Sequence, residues 1–183
     1  MKKKEKKKKN ETQDIMPEKE ISKDSDKTEG ESDDLVKMVM FSLDQEIYGI
    51  TIDQVVEIDR TMEITVVPDV PDFILGLIDL RGEIVPVVDP EKKFLLKRET
   101  PIDKRHIIIC RARNGLFGMV VDEVFRILSF PRKEIDEAPA LIKNKIHEDY
   151  LKGVGVLNDR VFVILDTEKI LKPEELEKIK STQ

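Results

Sequence analysis

LIDLRGEIVPVVD, running from Leu77 to Asp89, decides how this 183-residue chain is read. Two apolar arms enclose Arg81-Gly82, and a tight two-residue turn needs positive φ, which glycine adopts without penalty. The stretch therefore predicts a β-hairpin with an arginine at its tip. The same pattern returns in VGVLNDRVFVILD, from Val154 to Asp166, with Asn158-Asp159 in the turn.

The duplication extends outward. Gly76 to Phe94 aligns with Gly153 to Leu171, so that Leu80 falls on Leu157, Asp89 on Asp166 and Glu91-Lys92 on Glu168-Lys169. Upstream, Val36 to Ile58 aligns without a gap with Arg105 to Ile127, setting Tyr48 on Phe117, Gly49 on Gly118, Asp53 on Asp122 and Val55 on Val124. Two blocks recurring in the same order imply two copies of one unit, near 36–94 and 105–171.

Each copy is built mainly of strands. MVMFSL and HIIICRA are short, apolar or β-branched, and bounded by turn residues, among them Asn114-Gly115. Five or so short strands in each copy suggest a small, strongly twisted barrel, and a lobe that small needs a neighbour to complete its core. The expected class is all-β, with two packed five-stranded barrels, one per copy, and short helices. Pro86 interrupts a strand and suggests an edge or a bulge. Gly49 and Gly118 suggest close backbone approach or an unusual φ. Pro173 to Lys180 reads as a C-terminal helix with proline in its first turn and Leu176 and Ile179 on one face. The folded body spans 35–172, with 173–183 as the C-terminal helix and end.

Residues 1–34 have a different composition. Lys2 to Lys9 is nearly all lysine, and Asn10 to Asp34 sets 10 carboxylates against 3 lysines. With almost no spaced apolar residues, such a segment is expected to be a disordered charged tail. The rest carries −5 of the net charge of −6, which disfavours a phosphate-binding surface. No leader-like apolar stretch follows the first lysines, and no run approaches a membrane span. Cys110 is the single cysteine and lies in an apolar strand, so a buried, reduced thiol in the cytoplasm is expected.

A search for chemistry finds little. His106 heads a strand and His147 lies in a polar segment, neither at metal-ligand spacing, and neither a phosphate-binding loop nor a dinucleotide fingerprint is present. Asp53, Asp89, Asp122 and Asp166 follow strand ends, where carboxylates cap short helices. The expectation is a non-enzyme that uses no cofactor and no metal.

YGITIDQVVEI, ILGLIDLRGEIVPVVD, FGMVVDEVFRIL and YLKGVGVLNDRVFVILDTEKIL resemble, in order and spacing, the CheW family of chemotaxis coupling proteins. The Leu80-Arg81-Gly82 turn is the most specific part, although Asp79 stands where the family usually has asparagine. The resemblance implies two packed SH3-like barrels and a cytoplasmic adaptor. Such an adaptor joins the cytoplasmic tip of methyl-accepting chemoreceptors to the regulatory domain of a sensor histidine kinase. It associates with membrane receptor arrays through those partners, without inserting into the membrane or binding nucleic acid. It also implies a receptor-binding site at Arg81 and Gly82, near a groove between the lobes, together with Val55, Glu57 and Ile58 on a short turn after Asp53. No residue is assigned to the kinase interface. An arginine at a hairpin tip is otherwise simply solvated, and Val55 and Ile58 are otherwise core. Two alternatives stay open: a small-barrel nucleic-acid-binding protein, and a CheW-like scaffold of a non-chemotaxis kinase pathway.

Overall fold

A computed structural model describes residues 34–60, 62–96, 105–140 and 148–181. The charged tail and His147 lie outside them. The first copy supplies β1 (Leu35–Leu43), β2 (Glu46–Thr51), β3 (Val55–Asp59), β4 (Ile74–Leu80), β5 (Glu83–Val88) and α1 (Pro90–Phe94). The second supplies β6 (His106–Ala112), β7 (Gly115–Val121), β8 (Glu123–Pro131), β9 (Leu151–Leu157), β10 (Arg160–Leu165) and α2 (Thr167–Ile170), followed by α3 (Pro173–Ser181).

The strands form two five-stranded sheets, but the sheets are not the sequence copies. One runs β8-β1-β2-β10-β9 and the other β3-β6-β7-β5-β4. Each takes two strands from one copy and three from the other, an exchange that the repeat alone did not reveal. Equivalent strands nevertheless hold equivalent places. Val163 and Ile164 of β10 pair in parallel with Tyr48 and Gly49 of β2, as Val87 and Val88 of β5 pair with Gly118 and Met119 of β7. Each sheet closes when the chain leaving one edge strand bonds the other edge. Thr65 and Leu77 exchange two backbone hydrogen bonds of 2.8 Å, and Asp136 and Val154 exchange two of 2.9 Å.

This architecture explains runs such as HIIIC, which are apolar on both faces. Ile107 and Ile109 point into one barrel with Val85, Val87 and Val120, whereas Ile108 and Cys110 point into a core shared by both sheets. In β1, Met38 and Met40 fill the other barrel while Val39 and Phe41 face the shared core. Burying both faces of a strand removes the polar alternation of a half-exposed sheet. Cys110 is fully buried in the shared core, and burial pushes its thiol pKa up. The C-terminal helix completes this core: Ile179 is buried, Leu176 packs beside it, and Lys93 of α1 donates to both carboxylate oxygens of Glu175 at 2.9 Å.

Gly49 and Gly118 are equivalent, as their sequence positions imply, and the reason is close packing, since neither has a positive φ. A Cβ at Gly118 would meet Ile107 Cγ2 at 3.0 Å and Val87 Cγ2 at 3.4 Å. One at Gly49 would meet the Sδ atoms of Met40 at 3.3 Å and Met38 at 3.5 Å. β-branched neighbours are stiff and methionines yield. Gly118→Val is therefore expected to cost roughly 2–3 kcal/mol and Gly49→Val about 1 kcal/mol. Urea denaturation of the two variants checks the order, and equal losses would remove this packing explanation.

Several local expectations are corrected. Asp89 and Asp166 do cap helices, accepting from the backbone N–H groups of Lys92 and Glu168 at 3.2 Å. Asp53 caps nothing: the turn Ile52–Gln54 is preceded by Thr51 and has no side-chain cap. Asp122 accepts instead from the Asp44 N–H, 3.0 Å away, on the opposite sheet. In the β6–β7 hairpin the positive φ falls on Gly115 and not on Asn114. Pro86 is on neither an edge nor a bulge. It pairs with Leu77, just before the point where the β5–β7 ladder begins at Val87, so its missing N–H costs that ladder nothing.

Candidate functional site

Arg81 and Gly82, with φ of 56° and 88°, turn β4 into β5, and the Asp79 carboxylate accepts from the Gly82 N–H at 2.6 Å. An asparagine oxygen would accept in the same way, so the aspartate keeps the turn's hydrogen bond. Non-glycine residues reach the left-handed region at a cost of about 1–2 kcal/mol. The hairpin tips Asp44-Gln45 and Asn158-Asp159 share this conformation, but Arg81 is the one cation among them.

The Arg81 guanidinium donates to Glu57 Oε2 at 2.7 Å. Two residues of the site that the resemblance implies thus meet, and they link the hairpin tip to β3, the opposite edge of the same sheet. Arg81 is 79% exposed and Glu57 29%, and a pair that open contributes at most about 1 kcal/mol to stability. Stability is a poor reason to keep it. Exposed apolar residues lie along the same elements: Val56 and Ile58 flank Glu57, and Ile84 follows the turn.

β3 also corrects the expectation of a short turn, because Val55, Glu57 and Ile58 lie on a strand. They pair with Cys110, Ile109 and Ile108 of β6, and the extra residue, Val56, falls at an irregularity between Val55 and Glu57. Val55 is partly buried against the shared core, whereas Ile58 is 39% exposed. Ile58 and Arg81 are thus accessible and Glu57 partly so, while Val55 packs inward.

A buried charge network escaped the sequence reading. Arg105 and Glu91, 2% and 0% exposed, form an ion pair, and Arg105 Nη2 also lies 3.1 Å from Asp122 Oδ1. Glu91 Oε1 accepts from the Asp44 N–H at 3.2 Å, so α1, β6 and the β7–β8 corner are all tied to the β1–β2 turn. The signal was present in the repeat. Glu168, the counterpart of Glu91, accepts from the N–H of Arg113, the counterpart of Asp44, at 2.7 Å. Arg105 has Val36 as its counterpart, so the buried cation belongs to one half only. Burial pushes the Glu91 carboxyl pKa up, and the bond from Arg105 pulls it back down. His106, also buried, accepts from Arg60 Nε.

Comparison with known proteins gives this geometry a relationship. A family model described as the CheW-like domain matches residues 37–175. The Chemotaxis protein CheW of Klebsiella aerogenes is 34% identical over 140 residues, which cover 76% of this chain and 84% of that protein. The Chemotaxis protein CheW of Treponema pallidum is 27% identical over 153 residues, covering 81% and 89% respectively. The crystal structure of the scaffolding protein TtCheW from Thermoanaerobacter tengcongensis superposes with a TM-score of 0.67 at 31% identity, covering 72% of this chain and 89% of its own. The fold thus has its counterpart in a known scaffold, and the chain belongs to the CheW family of chemotaxis coupling adaptors.

Proposed function

We propose that this adaptor joins chemoreceptor tips to the regulatory domain of a sensor histidine kinase, with β3 and the β4–β5 tip receiving the receptor. The observation that carries the site is the exposed Arg81–Glu57 pair on elements that also expose Val56, Ile58 and Ile84. A planar guanidinium can hold a carboxylate or backbone carbonyls in fixed geometry, while the apolar neighbours supply contact area. The role needs no catalytic group, only surfaces held in register by two rigid barrels. Among the described residues no helix is long and apolar enough to cross a membrane, and attachment to receptor arrays would come through the partners. The acidic body gives a nucleic-acid role no support.

Arg81→Ala and Glu57→Lys are expected to leave the fold intact and to weaken receptor binding by about 1–3 kcal/mol, ten- to hundredfold. Titration of each purified variant against a receptor signalling fragment and against the kinase regulatory domain measures this, with circular dichroism as the folding control. Receptor binding should fall while kinase binding persists. The exchanged double variant Glu57→Arg/Arg81→Glu restores an ion pair but reverses its direction. It should stay weak if the receptor reads the guanidinium at position 81. Wild-type receptor affinity in all three variants would remove the site assignment, and a wild-type chain that binds neither partner would remove the function.

A further inference from the structure

The two barrels carry related pockets with different linings. One, about 430 Å³, is lined by Ile64, Leu75, Ile107 and Val120, with Arg60 and Arg105. Its counterpart, about 480 Å³, opens on the barrel of β1 and lies over Met38 and Ile164, buried residues of that barrel's interior. Here Thr51 replaces Val120, and Lys152 stands where the other pocket has Leu75. Lys37 and Arg132 also border it, with Asp53 the sole carboxylate among its lining residues. All three cations are exposed, and no side-chain hydrogen bond or ion pair engages their charged groups among the described residues.

We propose that this pocket receives a short peptide segment of a partner protein that alternates acidic and apolar side chains. Three cations against one carboxylate make a locally positive site on a body of net charge −5, so the field selects an anionic ligand. The floor is apolar, and Leu35, at 47% exposure, adds an apolar lip. Desolvating that floor rewards a hydrophobic side chain, which a bare phosphate lacks. A volume within the roughly 300–1,000 Å³ range of ligand pockets accepts a few side chains and no folded domain. The excess negative charge of the body repels an extended nucleic-acid backbone. The site lies on the first barrel and shares no residue with the Arg81–Glu57 face, so it stands apart from the receptor reading.

The probe is a fluorescein-labelled hexapeptide of sequence DLEFDE, titrated by anisotropy with the full chain. Saturable binding is expected, weakening at least tenfold in Arg132→Glu/Lys152→Glu and unchanged in Arg81→Ala. Because Arg132 and Lys152 are exposed, the double variant should keep the wild-type circular dichroism spectrum, and Lys37→Glu provides an independent check. Loss of binding in both, with Arg81→Ala unaffected, supports the site. Absent saturation, equal affinity in the pocket variants, equal binding of hexaglutamate, or displacement of the probe by equimolar inorganic phosphate would each overturn it.

Discussion

Replacing Arg105 with methionine is expected to destabilise the protein by about 3–5 kcal/mol at neutral pH, because removing one partner leaves the buried Glu91 carboxylate and the half-buried Asp122 carboxylate without their cation. Arg105 and Glu91 are almost wholly sealed from water, so neither solvent nor salt can replace the lost charge. The network also holds the β1–β2 turn through the Asp44 N–H, so its failure should loosen the junction between the sheets as well as one contact. Neutralising all three groups, as Arg105→Met/Glu91→Gln/Asp122→Asn, should recover most of the loss, since the amide oxygens still accept from Asp44. Guanidinium denaturation at matched pH measures both variants. A loss below about 1 kcal/mol for the single variant would show that the network is not held together by its cation.

The pH dependence of that loss has a definite sign. Burial raises the folded pKa of Glu91 above its unfolded value of about 4.3, so ionising this group weakens the fold as pH rises from that value through the folded one. Arg105 opposes the rise, and deleting it pushes the folded pKa further up. The deficit of Arg105→Met should therefore be larger at neutral pH and shrink as the solution is acidified below pH ~4.3, where Glu91 becomes protonated in both states. A deficit that grows on acidification would contradict the assignment to Glu91.

What the sequence displayed was local chemistry and its repetition. Gly82 announced a turn because glycine adopts positive φ without penalty, and Asp89 and Asp166 announced caps because each sits at the end of an apolar strand. The shifts that align Gly49 with Gly118 and Glu91 with Glu168 held in three dimensions. Strand exchange was hidden because a repeat gives the order of strands and not their partners: β1 pairs with β8 across more than eighty residues. Asp53 and Asp122 look alike in sequence, yet only Asp122 faces a buried arginine, since Val36 occupies the place of Arg105 in the other half. Glu57 and Arg81 were each visible as surface charges. Their contact was not, because it depends on a sheet closing upon itself.

Gly76→Ala should destabilise the protein by about 3 kcal/mol or more, whereas Gly153→Ala, at the equivalent place in the other barrel, should cost about 1–2 kcal/mol. Gly76 has φ of +147°, which no L-residue adopts without strain, and its added Cβ would lie 2.2 Å from the Thr65 carbonyl oxygen. Backbone cannot yield as a side chain does. The methyl group would have to separate Thr65 from Leu77, the pair that closes this barrel. At Gly153 the φ is not in that region, and the contacts are 2.8 Å to Ile135 Cγ2 and 2.9 Å to the Asp136 carbonyl oxygen, so rotation of one side chain relieves part of the clash. Thermal and urea unfolding of both variants test the order, and equal losses would deny Gly76 its special backbone role. Because Leu77 leads along β4 to Arg81, a folded Gly76→Ala protein should also bind the receptor fragment more weakly than Gly153→Ala does. Opening the seam moves the hairpin tip away from Glu57, so the same backbone pair that closes the barrel also sets the geometry of the proposed docking face.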